Sequence, residues 1–448
     1  MLMKRILFFD NSPSLSATLR FFLNVPLFLV LAAVLLATSG PQALASRWTP
    51  AALALTHLVT LGVMASAMIG ALLQILPVTT SIRVWRTRLT GIVVHAALTA
   101  GTLALATAFL WQSQWAARLA WVLLGLAFAW ILFAVALGMW LDRERRTQGS
   151  EALLSHVQLA LVSLVLTVLM GLAMLGVRAW GSRLGIPALT DIHGAWGLLG
   201  WLGLLLAGVT FKVIPVFQGT ELYPKRVMQW LGGIVFSLLA LWTIVRVLDL
   251  PGTALLADAA GMLLGAAWAG YAVASMRLLS RRKRTAADTT TRFWWAAMTC
   301  FALCLPVWLW YRISLDGRVA VLLGLLPTMG VAVSAINGML YKILPVLLWN
   351  HTQMPLQEPL PQVPKLKTIL PDHLGTGQFH AHLVALIVLA LACLWPALRL
   401  PAAGLTLVSA LWLTRNIAYA LGIYRRAQRE IAVALAEQAA IDSTAAKP

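Results

Sequence analysis

Runs of about 20 apolar residues recur along the whole of this 448-residue chain, near residues 18–38, 49–78, 89–111, 117–141, 151–177, 193–216, 228–247, 254–279, 293–311, 319–348, 380–398 and 402–424. A helix rising about 1.5 Å per residue needs about 20 such residues to cross the hydrocarbon core of a bilayer. Twelve runs therefore predict an all-α polytopic membrane protein with twelve spans. The chain is 60% hydrophobic and only 11% charged, whereas soluble domains keep roughly a quarter of their residues charged. The net charge of +19 would point to nucleic acid only if the cations formed one patch. Instead they alternate between loops. The N-terminal segment, the loops from even to odd spans and the C-terminal tail hold 23 of the 34 Lys and Arg. Cationic loops are retained in the cytoplasm, so both termini are expected there, and nucleic acid is excluded as a partner. Lys4 and Arg5 precede a long apolar helix with no small-residue cleavage site, which reads as an uncleaved first span. Three cysteines offer no disulfide framework.

One internal repeat stands out. The second span ends AMIGALLQILP, the sixth LLAGVTFKVIP and the tenth AINGMLYKILP, with Gly70, Gly208 and Gly338 each seven residues before Pro77, Pro215 and Pro345. The position three before the proline is Gln74, Lys212 or Lys342. The glycine admits a neighbouring helix, and the proline is expected to end the regular helix. Repeats four helices apart predict three four-helix units about a pseudo-threefold axis: helices 3–6 (79–216), helices 7–10 (217–348), and helices 11 and 12 (380–424) joined with 1 and 2 (1–78). Residues 349–379, with Pro355, Pro359, Pro361, Pro364 and Pro371, read as an extended cytoplasmic loop. Residues 425–448 read as a cytoplasmic tail that begins as a continuation of helix 12.

Twelve spans with helices 2, 6 and 10 as related elements resemble the catalytic subunit (subunit I) of the haem-copper oxidases, closest to the cbb-type oxidase and nitric oxide reductase branch. HLVTLGVMASAMIGALLQILP from His57 and HGAWGLLGWLGLLLAGVTFKVIP from His193 are similar to the family's inner helices, the latter with a GxxGW spacing. The resemblance implies a multi-pass protein of a bacterial inner membrane, working in respiration beside a c-type cytochrome or an oxidase subunit. Two departures remove the reaction. The family's histidine pair at the outer end of helix 10 is replaced by Leu323, Gly324 and Leu325, and helix 7 has no histidine. The binuclear oxygen- or nitric-oxide-reducing centre cannot form, so the resemblance implies the scaffold without a complete terminal oxidase or nitric oxide reductase.

His57 and His193 begin equivalent helices, 20 and 22 residues before their prolines, and are expected to clasp one haem b as neutral imidazoles. The bland alternative is a pair of interfacial histidines bonded to backbone or headgroups. His380 and His382 form an HxH pair which, with His351 and His373, suits zinc, copper or nickel, although residues two apart on a helix point about 200° apart. His95 and His156 are expected to make interhelical hydrogen bonds. Arg415 is read as lying near 15 Å into the membrane by helical rise, with Asn416 and Asn337 as polar neighbours. Snorkelling accounts for Lys212 and Lys342. Cys300 and Cys304 share a helix face, read as packing rather than as a copper(I) site, and Trp111, Trp180, Trp310 and Trp395 read as interfacial anchors. The leading expectation is a haem-binding protein for electron transfer, gas sensing or haem and copper handling. Its rival is a cofactor-free transporter or assembly factor whose path Arg415, Lys212 and Lys342 would line.

Overall fold

The computed structural model describes residues 11–145, 147–182, 188–283, 286–356 and 360–445, with side chains up to residue 441. Lys4, Arg5, Arg146, Arg183, Arg284 and Pro359 lie outside the described residues. Among the described residues the chain is helical without strands. It is a multi-pass membrane protein by the length and composition of twelve helices. These are α1 (Leu15–Thr38), α2 (Pro50–Thr80), α3 (Thr87–Leu110), α4 (Gln114–Leu141), α5 (Glu151–Trp180), α6 (Leu189–Gln218), α7 (Lys225–Leu248), α8 (Ala254–Ser280), α9 (Thr289–Ser314), α10 (Gly317–Gln353), α11 (Asp372–Leu394) and α12 (Pro396–Ile441).

The three proline boundaries and the start of α11 differ from expectation, while α12 continues into the tail as expected. Pro77, Pro215 and Pro345 do not end their helices, which run on to Thr80, Gln218 and Gln353. A proline removes only the one backbone bond that its N–H would make to the carbonyl four residues back, at Leu73, Phe211 and Tyr341, and the helix runs on through the bonds that remain. α11 starts at Asp372, eight residues before the apolar run, because polar and charged residues fill its first turns. The non-helical part of the loop therefore shrinks, among the described residues, to 354–356 and 360–371, with a short helix at Leu366–Ile369. α12 continues as one helix far beyond the length of a span, through the cations Arg425, Arg426 and Arg429.

Packing recurs with a step of four helices. α1 packs on α2, α5 on α6 and α9 on α10; α3 on α4, α7 on α8 and α11 on α12; α4 on α5, α8 on α9 and α12 on α1. The α2, α6 and α10 helices each carry a π-helical stretch that starts 19 residues before the proline: Leu58–Ala65, Trp196–Leu202 and Leu326–Val333.

Those stretches solve a register problem. A second glycine lies 15 residues before each proline, at Gly62, Gly200 and Gly330. A Cβ at Gly70 would stand 3.0 Å from the Phe21 Cβ, one at Gly208 2.8 Å from the His156 Cβ, and one at Gly338 2.5 Å from the Phe293 Cβ. Gly62, Gly200 and Gly330 meet Phe28, Ser163 and Cys300 in the same way. Each glycine pair is eight residues apart, while the residues it faces are seven apart. In a regular helix an eight-residue step leaves the two positions about 80° apart in azimuth. The wider π turn absorbs the extra residue and keeps both glycines on one neighbour, three times over.

The loops after α2, α4, α6, α8 and α10 share one end of the bundle with the residues before α1. Thr147 N bonds Thr80 O, Lys283 N bonds Gly219 O, and Asn350 Nδ2 bonds Ser12 Oγ. This is the basic end. At the opposite end Arg399 Nη1 bonds the carbonyls of Leu36 and Ala37.

Candidate functional site

α2 and α6 both begin at the end opposite the basic loops. Thr49 caps α2, its Oγ1 accepting from Ala52 N, and Pro50 follows where a missing N–H costs nothing. His57 is the eighth residue of α2 and His193 the fifth of α6, so both lie within about 11 Å of their helix starts by helical rise. The two imidazoles line one cavity of about 860 Å³.

Each ring is fixed through one nitrogen. His57 Nδ1 donates to Leu53 O at 2.8 Å, one turn back on α2. His193 Nδ1 donates to Thr167 O at 2.9 Å, across to α5. A carbonyl can only accept, so Nδ1 carries the proton in both rings and Nε2 keeps its lone pair. Ligating histidines are commonly oriented in this way, with the second ring nitrogen bonded to a carbonyl. The Phe109 ring lies tilted beside His57 at a 5.2 Å centroid separation. Gly171 makes room for His193, since a Cβ there would stand 3.0 Å from the His193 Cε1.

The cavity's charged lining is Arg47, Arg178, Arg246 and Arg312 against Asp191 and Asp258. Arg47 Nη1 lies 2.6 Å and Arg246 Nη2 3.4 Å from Asp191, and Arg312 Nη2 lies 2.7 Å from Asp258. Four guanidiniums against two carboxylates leave a cationic rim above an apolar and aromatic interior that includes Trp201, Trp242, Trp268 and Trp308. Sequence reasoning missed this rim. Its signal was Asp191, one of few acidic residues and two positions before His193; its partners come from distant elements, Arg47 from the loop before α2 and Arg246 from the last turn of α7, and could not be paired by spacing.

The other expected residues fall elsewhere. His382 is buried, its Nε2 2.8 Å from Ser334 Oγ on α10, whereas His380 is exposed beside Phe379. Both ring nitrogens of His351 face carbonyls, Leu347 O at 2.9 Å and Pro13 O at 3.0 Å. The shared histidine metal site is therefore not assembled: the 380/382 pair splits between two helix faces and His351 is committed to backbone. Among the described residues no group of three His, Cys, Asp or Glu is placed to hold a metal ion. His95 Nε2 meets Asn24 Oδ1 on α1 at 3.2 Å, the expected interhelical bond. His156 bonds within its own helix, Nδ1 to Ala152 O at 2.8 Å, and is the residue against which Gly208 closes. Cys300 closes against Gly330, and Cys304 donates to Cys300 O at 3.3 Å.

Arg415 is not deep. Its neighbour Asn416 donates to Leu374 O at 2.9 Å, in the first turn of α11, so Arg415 sits exposed at the level where α11 begins. The expected depth was counted from residue 424, the end of the apolar run, which lies beyond the level where α11 begins. Asn337 is fully buried, and neither amide atom has a partner among the described residues.

Lys212 and Lys342 do not snorkel. Gln74 Nε2 bonds Ser12 Oγ at 3.3 Å, Lys212 Nζ bonds Gly149 O at 2.5 Å, and Lys342 Nζ lies 2.7 Å from Asp288. Ser12, Gly149 and Asp288 each lie one to three residues before α1, α5 or α9. The three equivalent side chains thus tether the start of the helix on which their own helix packs. Asp288 also caps α9, Oδ1 accepting from Thr291 N at 2.8 Å. Burial would raise its carboxyl, but Lys342 and the Thr291 bonds hold it below the ordinary range. Compared with known proteins, the chain matches no family model and no curated protein.

Proposed function

We propose that the protein holds one haem b between His57 and His193, on a scaffold like subunit I of the haem-copper oxidases. In this reading three four-helix units surround a pseudo-threefold axis, and both termini are cytoplasmic in a bacterial inner membrane. The recurring helix contacts and the thrice-repeated π stretches support the units, and the alternation of cationic loops supports the orientation. The observation that carries the ligand assignment is the pair of imidazoles lining one cavity, each with Nδ1 bonded to a carbonyl and Nε2 free of protein partners. The cavity volume of about 860 Å³ falls within the range of small-molecule and cofactor sites.

A haem held by His57 and His193 would supply one-electron transfer. The chain's own residues would position it: Leu53 O and Thr167 O fix the ring orientations, Gly171 leaves space beside His193, and the aromatic interior excludes water. This role suits electron transfer, gas sensing or haem and copper handling in respiration, beside a c-type cytochrome or an oxidase subunit, rather than oxygen reduction. The transporter alternative loses its three path residues, because Lys212 and Lys342 are engaged as tethers and Arg415 sits at a helix-end level.

The test is a pyridine haemochrome spectrum of the purified protein. A b-type spectrum is expected, lost in His57→Ala and in His193→Ala and kept in His380→Ala. A well-folded colourless protein, expressed with haem supplied, overturns the proposal.

A further inference from the structure

A second cavity, of about 170 Å³, lies among α2, α6 and α10 toward the basic end. Residues nine, six and two before each repeat proline, and the residue just after it, line this cavity from all three helices. One layer is Met68, Leu206 and Ile336; the next is Ala71, Val209 and Met339. Equal register on three helices puts the cavity on their common axis. Every residue of these four layers is aliphatic or methionine. Polar groups lie only at its edge, where Gln74 Nε2 and Asn350 Nδ2 bond Ser12, Lys212 bonds the Gly149 carbonyl and Thr79 bonds the Ile75 carbonyl, while the buried Gln74 Oε1 has no partner among the described residues.

An ion or a hydrogen-bonding solute entering the four apolar layers would give up its hydration without a partner there, the Gln74 amide oxygen lying only at the edge. An apolar cavity of about 150 Å³ stays dry and accepts xenon or benzene. One layer farther along the axis, 13 residues before the prolines, Met64 lines the histidine cavity while Leu202 and Ala332 line the axial one. A single side-chain layer therefore separates the two. From these layers we infer that the axial cavity is a binding site for small uncharged apolar molecules, the size of a dissolved diatomic gas, lying next to the histidine cavity. The inference does not depend on a haem being present.

Xenon is the probe. Crystals of the full-length protein under xenon pressure are expected to show an anomalous peak between Ala71, Val209 and Met339, and dissolved protein a saturable ¹²⁹Xe shift. Val209→Phe and Ala71→Phe should each remove both signals, with Ala71→Val as the milder variant should either phenylalanine disturb folding. No peak at this position in the native protein, an acyl or detergent chain or ordered water filling it, or a peak that persists in a folded phenylalanine variant would overturn the assignment. The native measurement alone decides should no variant fold.

Discussion

His193 donates its Nδ1–H to the Thr167 carbonyl at 2.9 Å, tying the imidazole of α6 to the backbone of α5. The bond leaves Nε2 as the nitrogen free to ligate, and Gly171, one turn beyond Thr167, gives the ring its space. A branched side chain at Gly171 must displace the ring. Gly171→Val is expected to remove most of the Soret absorbance while yield and size-exclusion profile stay unchanged. Native absorbance in that variant would count against His193 as an axial ligand.

Gly338 meets Phe293 so closely that an added methyl would stand 2.5 Å from the Phe293 Cβ. Overpacking of this kind costs about 1–3 kcal/mol, so Gly338→Ala should lower the Tm measurably. Gly324→Ala, in the same helix but with nothing within 4 Å of the added methyl, should leave it unchanged. The Gly338→Ala/Phe293→Ala double mutant should lose less stability than the sum of the two single changes, the signature of a direct contact. Additive losses would place the strain elsewhere.

How much of this was readable in advance depends on the kind of signal. Twelve helices followed from apolar runs because lipid demands long uninterrupted helices. The glycines seven before each proline were visible as a local repeat, and His57 and His193 stood out because ionisable residues are rare within spans. The glycines at 62, 200 and 330 were equally present but looked out of phase, since an eight-residue step does not share a face of a regular helix. Only the π stretches bring them into line. The tethers at Gln74, Lys212 and Lys342 depend on where the preceding odd helix starts, which no local pattern records. Arg415 was placed too deep because its depth was counted from residue 424, where the apolar run of α12 ends, beyond the level where α11 begins.

Lys342 and Asp288 supply a pH-dependent element. The folded carboxyl is held below its ordinary range, so its contribution is complete above the ordinary carboxylate range and is lost as pH falls through the depressed folded value. With both side chains about a quarter exposed, the contribution is on the order of 1 kcal/mol or less. Thermal melts from neutral to acid pH should show Asp288→Asn and Lys342→Met reducing Tm at neutral pH and converging on the native curve in acid. Gln74→Leu, which loses a bond to the neutral Ser12 hydroxyl, should shift the curve without changing its acid limb. Parallel curves for all three variants would show that the ion pair does not titrate with folding.

Asn337 and Asn416 make opposite predictions for the same chemical change. Asn416 Nδ2 donates to both Tyr341 Oη and Leu374 O, at 2.9 Å each, joining α12 to α10 and α11. Asn416→Leu breaks both bonds and leaves the Leu374 carbonyl to find another donor, so a loss of about 1–3 kcal/mol is expected. Asn337 has no such bonds among the described residues, and the equivalent positions on α2 and α6, eight before the proline, are Ile69 and Ala207. The repeat thus accommodates an apolar side chain there twice already. Leucine removes the desolvation cost of the amide and adds only branched carbon of similar size. Asn337→Leu should therefore match or exceed the native Tm. A drop as large as that of Asn416→Leu would mean that the Asn337 amide is bonded after all.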